Sequence, residues 1–193
     1  MPIGVCAPYY SKVHPGAIAY AVQEAGALEL MEELVIAEQP DVIVELGTCA
    51  GGLTLAMHEA RLETRIFSFD LAIDENSESV ALKESGFQQI PRAWFGPTVS
   101  FHKADIFQER QKVDVVLETE GKHLLVCDNG RKVLEVAWFA PLLESGGVFA
   151  VHDWNEEIGL EDITETLAAG NFEPLWQEKC EERKSLWRFW RKR

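Results

Sequence analysis

Residues 41–54 read DVIVELGTCAGGLT. The β-branched run Val42-Ile43-Val44 predicts a buried strand, and the glycine turn that follows opens into the apolar-periodic segment GGLTLAMHEARL. Strand, glycine turn and helix in this order form the unit with which a doubly wound α/β sheet presents a ligand site at a strand's carboxyl end. A dinucleotide turn is spaced G-x-G-x-x-G, and its second glycine lets the backbone approach a pyrophosphate. Here that position is Cys49, and the next glycines are Gly51 and Gly52. The turn is therefore wider and less suited to a pyrophosphate. Gly47 and Gly51 still allow close backbone approach to a ligand, with Thr48, Cys49, Gly52 and Thr54 around them. Glu45 adds a carboxylate beside the turn, which repels phosphate and attracts an ammonium or sulfonium.

Outward from this stretch the pattern alternates. Residues 65–70, 98–104, 123–128 and 147–153 read as further strands, each separated from the next by a helical or loop segment. Residues 77–85 read as a helix closed by Gly86, and a loop holds Pro91, Trp94 and Pro97. Ahead of the first strand, residues 2–15 lack a clear period and read as an arm, and 16–39 read as helix with a break at Gly26. At the far end FEPLWQEKCEE and SLWRFWRKR both read as strands of a closing antiparallel hairpin. The expectation is one α/β domain over residues 1–193, with residues 1–38 as arm and helix before the first strand. Its seven-stranded Rossmann-like sheet is doubly wound, mostly parallel, and ends in that hairpin.

Composition narrows the partners. The chain has 193 residues, is 47% apolar and carries a formal net charge of -14. Such a charge gives no long-range attraction to nucleic acid or an anionic membrane. No signal pattern and no membrane-length apolar run is evident, and the four cysteines have no disulfide or C-x-x-C spacing. These features predict a cytoplasmic protein with reduced thiols and a small-molecule partner.

Two more acids mark strand ends. Asp70 lies 23 residues past Gly47, near the spacing at which an acidic residue takes a ribose hydroxyl pair. Asp105, at the end of the next strand, is placed to reach an adenine amino group. With Glu45, these describe a nucleoside that has a cationic tail and no phosphate, as S-adenosylmethionine has.

The pattern Glu45-x-Gly47-x-x-x-Gly51, then Asp70, then Asp105, resembles the class I S-adenosylmethionine-dependent methyltransferases. The stretch LLVCDNGRKVLEVAWFAPLLESGGVFAVHDW is similar to the macrocin O-methyltransferase and cephalosporin hydroxylase-like subgroup. The resemblance implies O-methylation of a small molecule, with Asp128 at the cofactor mouth. It also implies a divalent metal, Mg2+ or Mn2+, on Asp128 and Asp153, with His152 or Asn129 in the third place. Such a metal binds substrate oxygens and lowers a hydroxyl pKa. The bland alternative has Asp128 capping the next helix and His152 packed beside the methionine end of the cofactor.

His152, with an unperturbed pKa of about 6.5, is also a candidate general base. Lys132 suits either an anionic substrate group or a solvated helix face. Tyr9, Tyr10 and His14 suit an acceptor pocket or, equally, a homodimer contact. Trp94 and Phe95 suit a pocket wall or edge packing. Two other functional classes stay open: a non-catalytic S-adenosylmethionine-binding module and an NAD-dependent oxidoreductase, the latter disfavoured by Cys49.

Overall fold

The computed structural model describes residues 6–24, 26–74, 77–80 and 90–193. Strands β1 (Cys6–Tyr10) and β2 (Ile18–Val22) come first, followed by α1 (Ala27–Glu38), β3 (Val42–Leu46), α2 (Gly52–Ala60) and β4 (Arg65–Asp70). The short pair β5 (Ser79–Val80) and β6 (Ile90–Pro91) precedes β7 (Val99–Lys103), α3 (Gln111–Leu117), β8 (His123–Cys127) and α4 (Lys132–Phe139). The chain closes with β9 (Val148–Val151), α5 (Leu160–Ala169), β10 (Phe172–Leu175), α6 (Gln177–Glu182) and β11 (Arg188–Lys192).

Seven strands form one sheet in the order β10-β11-β9-β8-β3-β4-β7. β3, β4, β7, β8 and β9 run parallel, and β11 is antiparallel to both β9 and β10. From β3 the chain winds outward through β4 and β7, then returns to β8 and winds the other way. The switch point lies between β3 and β8, where the carboxyl ends leave a crevice.

Side chains alternate between two buried layers, as the pleat requires. Ile43, Leu124, Val126, Val148, Ala150 and Phe189 face the layer that holds α1, α2 and the β1–β2 hairpin. Val42, Val44, Leu46, Leu125, Phe149 and Trp190 face the layer that holds α3, α4 and α5. Among the described residues no helix is long and apolar enough to cross a membrane.

Three local expectations are corrected. Residues 18–22, expected as helix, form β2, which pairs antiparallel with β1 in the stretch expected as an arm. The sequence IAYAV has a period of two: Ala19 and Ala21 are buried, while Ile18 and Tyr20 are half-exposed. Its alanine-rich composition hides that period. Residues 177–182, expected as strand, form α6, because Trp176 turns the chain at φ 57 and the polar run then buries only Cys180. Ser79 and Val80, expected in a helix, pair with Pro91 and Ile90 as β5 and β6. The rest of that expected helix, from residue 81 onward, lies outside the described residues.

Candidate functional site

The switch-point crevice is built by backbone. Gly47 donates to Phe69 O at 2.9 Å, and Asp128 N donates to Leu46 O at 2.9 Å, so the ends of β4, β3 and β8 are bonded side by side. Gly47 has φ 99, and a Cβ there would lie 2.3 Å from Asp128 O, so only glycine fits. Cys49 has φ 47, the left-handed conformation a glycine would adopt, so the unusual residue keeps the backbone shape of a glycine turn. Asp70 locks the turn from β4. Its Oδ2 accepts Thr48 N at 3.1 Å and Cys49 N at 3.0 Å, and its Oδ1 accepts Ala72 N at 2.8 Å.

Glu45 is fully buried. Its Oε2 accepts the hydroxyl of Thr54 at 2.6 Å and that of Ser68, and Thr48 and Ser68 hydroxyls pair at 2.5 Å. Burial pushes its carboxyl up to about 7, with Asp128 and Asp70 adding to the rise against the two hydroxyl bonds. The carboxylate therefore ties the first turn of α2 to β4 from beneath the glycine turn. Its Oε1 is buried without a hydrogen-bond partner.

Two adjoining clefts flank the crevice. One, of about 280 Å3, is walled by Gly47, Thr48, Cys49, Gly52, Asp128, Lys132, His152 and Asp153, with Ala21 and Gln23 over it. The other, of about 350 Å3, is walled by Leu71, Asp105, Phe107, Gln108, Asn129 and Arg131. In it Asp105 Oδ1 accepts Phe107 N at 3.1 Å, and Oδ2 accepts Gln108 Nε2 at 2.8 Å.

Charge is concentrated at the ends of β8 and β9. One ligand atom from each of Asp128, His152 and Asp153 lies within 4.8 Å of the others. His152 Nδ1 is 3.1 Å from Asp153 Oδ1 and 3.4 Å from Asp128 Oδ1, and Nε2 is 2.8 Å from Glu24 Oε2. Burial disfavours the charged ring, but these three carboxylates outweigh it and hold His152 up at about 11. Lys132 is 4% exposed, which rules out the second of its two alternatives, a solvated helix face. Its Nζ is 2.7 Å from Asp153, 2.8 Å from Glu157 and 3.5 Å from Asp128. Burial works against the ammonium, yet these acids, Asp128 foremost, raise its pKa. Asp153, at φ 56, is held well below the usual carboxylate range by His152 and Lys132 despite its burial.

This balance changes the chemistry expected of His152. An imidazolium paired with three carboxylates is a poor base at neutral pH, so the ring takes a proton only after another cation has displaced its own. The donor set of two carboxylates and one imidazole fits a divalent ion, and the imidazole favours Mn2+ or a later metal over Mg2+. Asp128 does not cap α4, whose first residues are preceded by Arg131 with no side-chain cap. Glu135 instead holds the turn that leads into α4 by accepting Asn129 N at 3.2 Å and Arg131 N at 3.0 Å.

Sequence reasoning missed Gln23 and Glu24, which follow β2 into the site. Gln23 Nε2 donates to Asp128 Oδ2 at 2.7 Å, and its buried Oε1 has no hydrogen-bond partner. The hairpin reaches the site because Gly52 lets it approach: a Cβ there would lie 2.2 Å from Tyr20 O. The arm aromatics take other places. Tyr9 is buried and donates toward Glu32 and Glu59 at 3.0 Å each, and Tyr10 is exposed. His14 stacks on Trp94 with centroids 5.0 Å apart, and Phe95 is fully buried against Phe101. None of these five lines either cleft; Tyr9 fastens the hairpin to α1 and α2, and His14 fastens the segment after β1 to the loop after β6.

No described protein family and no curated protein matches the sequence. Solved structures do match in fold. An apo-structure of CmcI aligns over 90% of this chain and 73% of its own, with 15% identity and a TM-score of 0.63. CmcI with Mg-SAM aligns over 88% and 73%, with 16% identity and a TM-score of 0.58. The O-methyltransferase from Bacillus cereus in complex with SAH aligns over 86% and 80%, with 14% identity and a TM-score of 0.57. The chain therefore has the Rossmann-like fold that these structures share.

Proposed function

We propose that the protein is an S-adenosylmethionine-dependent methyltransferase that acts on an oxygen of a small molecule and is assisted by a divalent cation. The observation that carries this reading is the convergence of the Gly47–Gly51 turn, Asp70 and Asp105 on one crevice, with a charged cluster at its other end. The turn's backbone suits the methionine portion, the carboxylate of Asp70 at the end of β4 suits the ribose hydroxyls through the lone pairs its backbone bonds leave, and the Asp105 cleft suits an adenine. Gln23 Oε1, buried without a partner on the wall of the first cleft, leaves an acceptor at the end where an α-ammonium belongs. CmcI with Mg-SAM and the Bacillus cereus O-methyltransferase with SAH have the same fold, which supports this choice of donor.

Methyl transfer is an in-line displacement, and the chain's task is to position both partners and balance charge. Asp128, Asp153 and His152 would hold the cation, which supplies Lewis acidity toward an acceptor hydroxyl. Lys132, already among these acids, holds the second carboxylate of the cluster and offers a donor to an anionic acceptor oxygen. Gln23, above the crevice, helps to exclude water. Thiols at the buried Cys127 and Cys180 fit a reducing compartment.

The test is transfer of label from methyl-labelled S-adenosylmethionine into a pool of hydroxylated small molecules, with Mn2+, with Mg2+ and with chelator. Label in a low-mass product that chelator suppresses is the expected result. Label confined to macromolecules contradicts the acceptor class. Donor binding without any transfer favours a non-catalytic binding module.

A further inference from the structure

We infer that Glu24 is a positioning residue that grips His152 through Nε2 and so presents Nδ1 as the metal-ligating atom, an inference that rests on the metal reading above. The imidazole is held on three sides. Glu24 Oε2 lies 2.8 Å from Nε2. Nδ1 faces the carboxylates of Asp153 and Asp128 at 3.1 and 3.4 Å. The ring of Trp187, itself fully buried, backs the imidazole with centroids 4.8 Å apart. A metal-ligating histidine ordinarily donates its other ring N–H to a carboxylate, which fixes the tautomer and raises the basicity of the ligating nitrogen. Glu24 stands at that second nitrogen.

Glu24 is itself anchored. Its Oε1 accepts Ser185 Oγ at 2.7 Å and Leu186 N at 2.7 Å, so both carboxylate oxygens are committed. The residue thereby clasps the end of β2, the end of β9 and the segment entering β11. The N-terminal hairpin that carries it is seated on Gly52, beside the glycine turn. Seating of the hairpin thus sets the orientation of a metal ligand more than a hundred positions away in sequence.

The test uses the full chain and metal ions alone. In 15N-histidine-labelled protein loaded with Zn2+, long-range nitrogen–proton correlation spectra report which ring nitrogen is ligated. His152 is expected to show metal on Nδ1 and a proton on Nε2. Calorimetry with Mn2+ is expected to show about 10- to 100-fold weaker binding for Glu24→Gln, the usual scale for losing such a partner. Ser185→Ala removes an anchor of Glu24 but not its bond to His152, and is expected to stay within about threefold of wild type. Ligation through Nε2, or equal Mn2+ affinity in Glu24→Gln, overturns the inference. If Glu24→Gln fails to fold, the wild-type spectrum alone decides the point. Wild-type protein that binds neither ion removes the metal reading itself, and the inference with it.

Discussion

Replacing Gly52 by alanine separates two effects of opposite sign. Gly52 opens α2 with ordinary helical backbone, so alanine is favoured there by up to about 1 kcal/mol on helix propensity alone. In this fold, however, the added Cβ meets backbone: Tyr20 O at 2.2 Å, Tyr20 C at 2.4 Å and Ala21 N at 2.7 Å. Carbon contacts settle near about 3.5 Å, so β2 has to retreat by about 1 Å. Overpacking of this kind costs about 1–3 kcal/mol, and no flexible side chain is available to absorb it. The net expectation for Gly52→Ala is a loss of about 1–2 kcal/mol in denaturant unfolding, with faster amide exchange across residues 18–22. The retreat also draws Gln23 and Glu24 from Asp128 and His152. A stability gain with unchanged exchange in β2 would refute the docking of the hairpin on α2.

Three further outcomes follow from the site. Glu45 titrates near 7 in the folded chain and near the ordinary carboxylate value when unfolded, so the folded state holds the extra proton between those values. Stability should therefore fall as pH rises from about 4.5 to 7, by up to about 3 kcal/mol from this group, and level off above that. Glu45→Gln should flatten that slope in unfolding curves taken across pH, and an unchanged slope would count against the buried carboxylate. Lys132→Met leaves Asp128 and Asp153 without their buried ammonium and should lower the stability of metal-free protein by about 3–5 kcal/mol. Added Mn2+ should narrow the deficit in thermal melts, and a variant as stable as wild type without metal would contradict the cluster's charge balance. Gly47→Ala combines left-handed strain with a Cβ at 2.3 Å from Asp128 O, so unfolding should show a loss of about 2–5 kcal/mol. A loss below about 1 kcal/mol would mean that β3 and β8 do not meet as described.

The parts of the fold legible in the sequence are those in which local pattern and tertiary role agree. The runs at Val42–Leu46 and His123–Cys127 are mostly apolar and buried on both faces because both faces of the sheet are covered. The exceptions come from tertiary override. Ile18–Val22 looks helical in composition and becomes a strand only because Cys6–Tyr10 pairs with it. Gln177–Glu182 sits between two true strands, which masks the polarity of a surface helix. At the site, glycine spacing and strand-end acids were visible as types and positions. What was not visible is which way a side chain faces and what neutralises it. Glu45 lies in the glycine motif, yet the pleat puts it beneath the turn with Ile43. Glu24 and Gln23 carried no signal, because their partners, His152 and Asp128, are brought to them only by the docking of the hairpin. The charged state of His152 is hidden for the same reason: Glu24 and Asp128, from distant segments, join its neighbour Asp153 around the ring.

The most direct test of the account is a calorimetric titration of the protein with S-adenosylhomocysteine and, separately, with NAD. The account predicts saturable one-to-one binding of S-adenosylhomocysteine, weakened at least about tenfold, or about 1.4 kcal/mol, by Asp70→Asn, with no heat from NAD. Binding of NAD without binding of S-adenosylhomocysteine would contradict it.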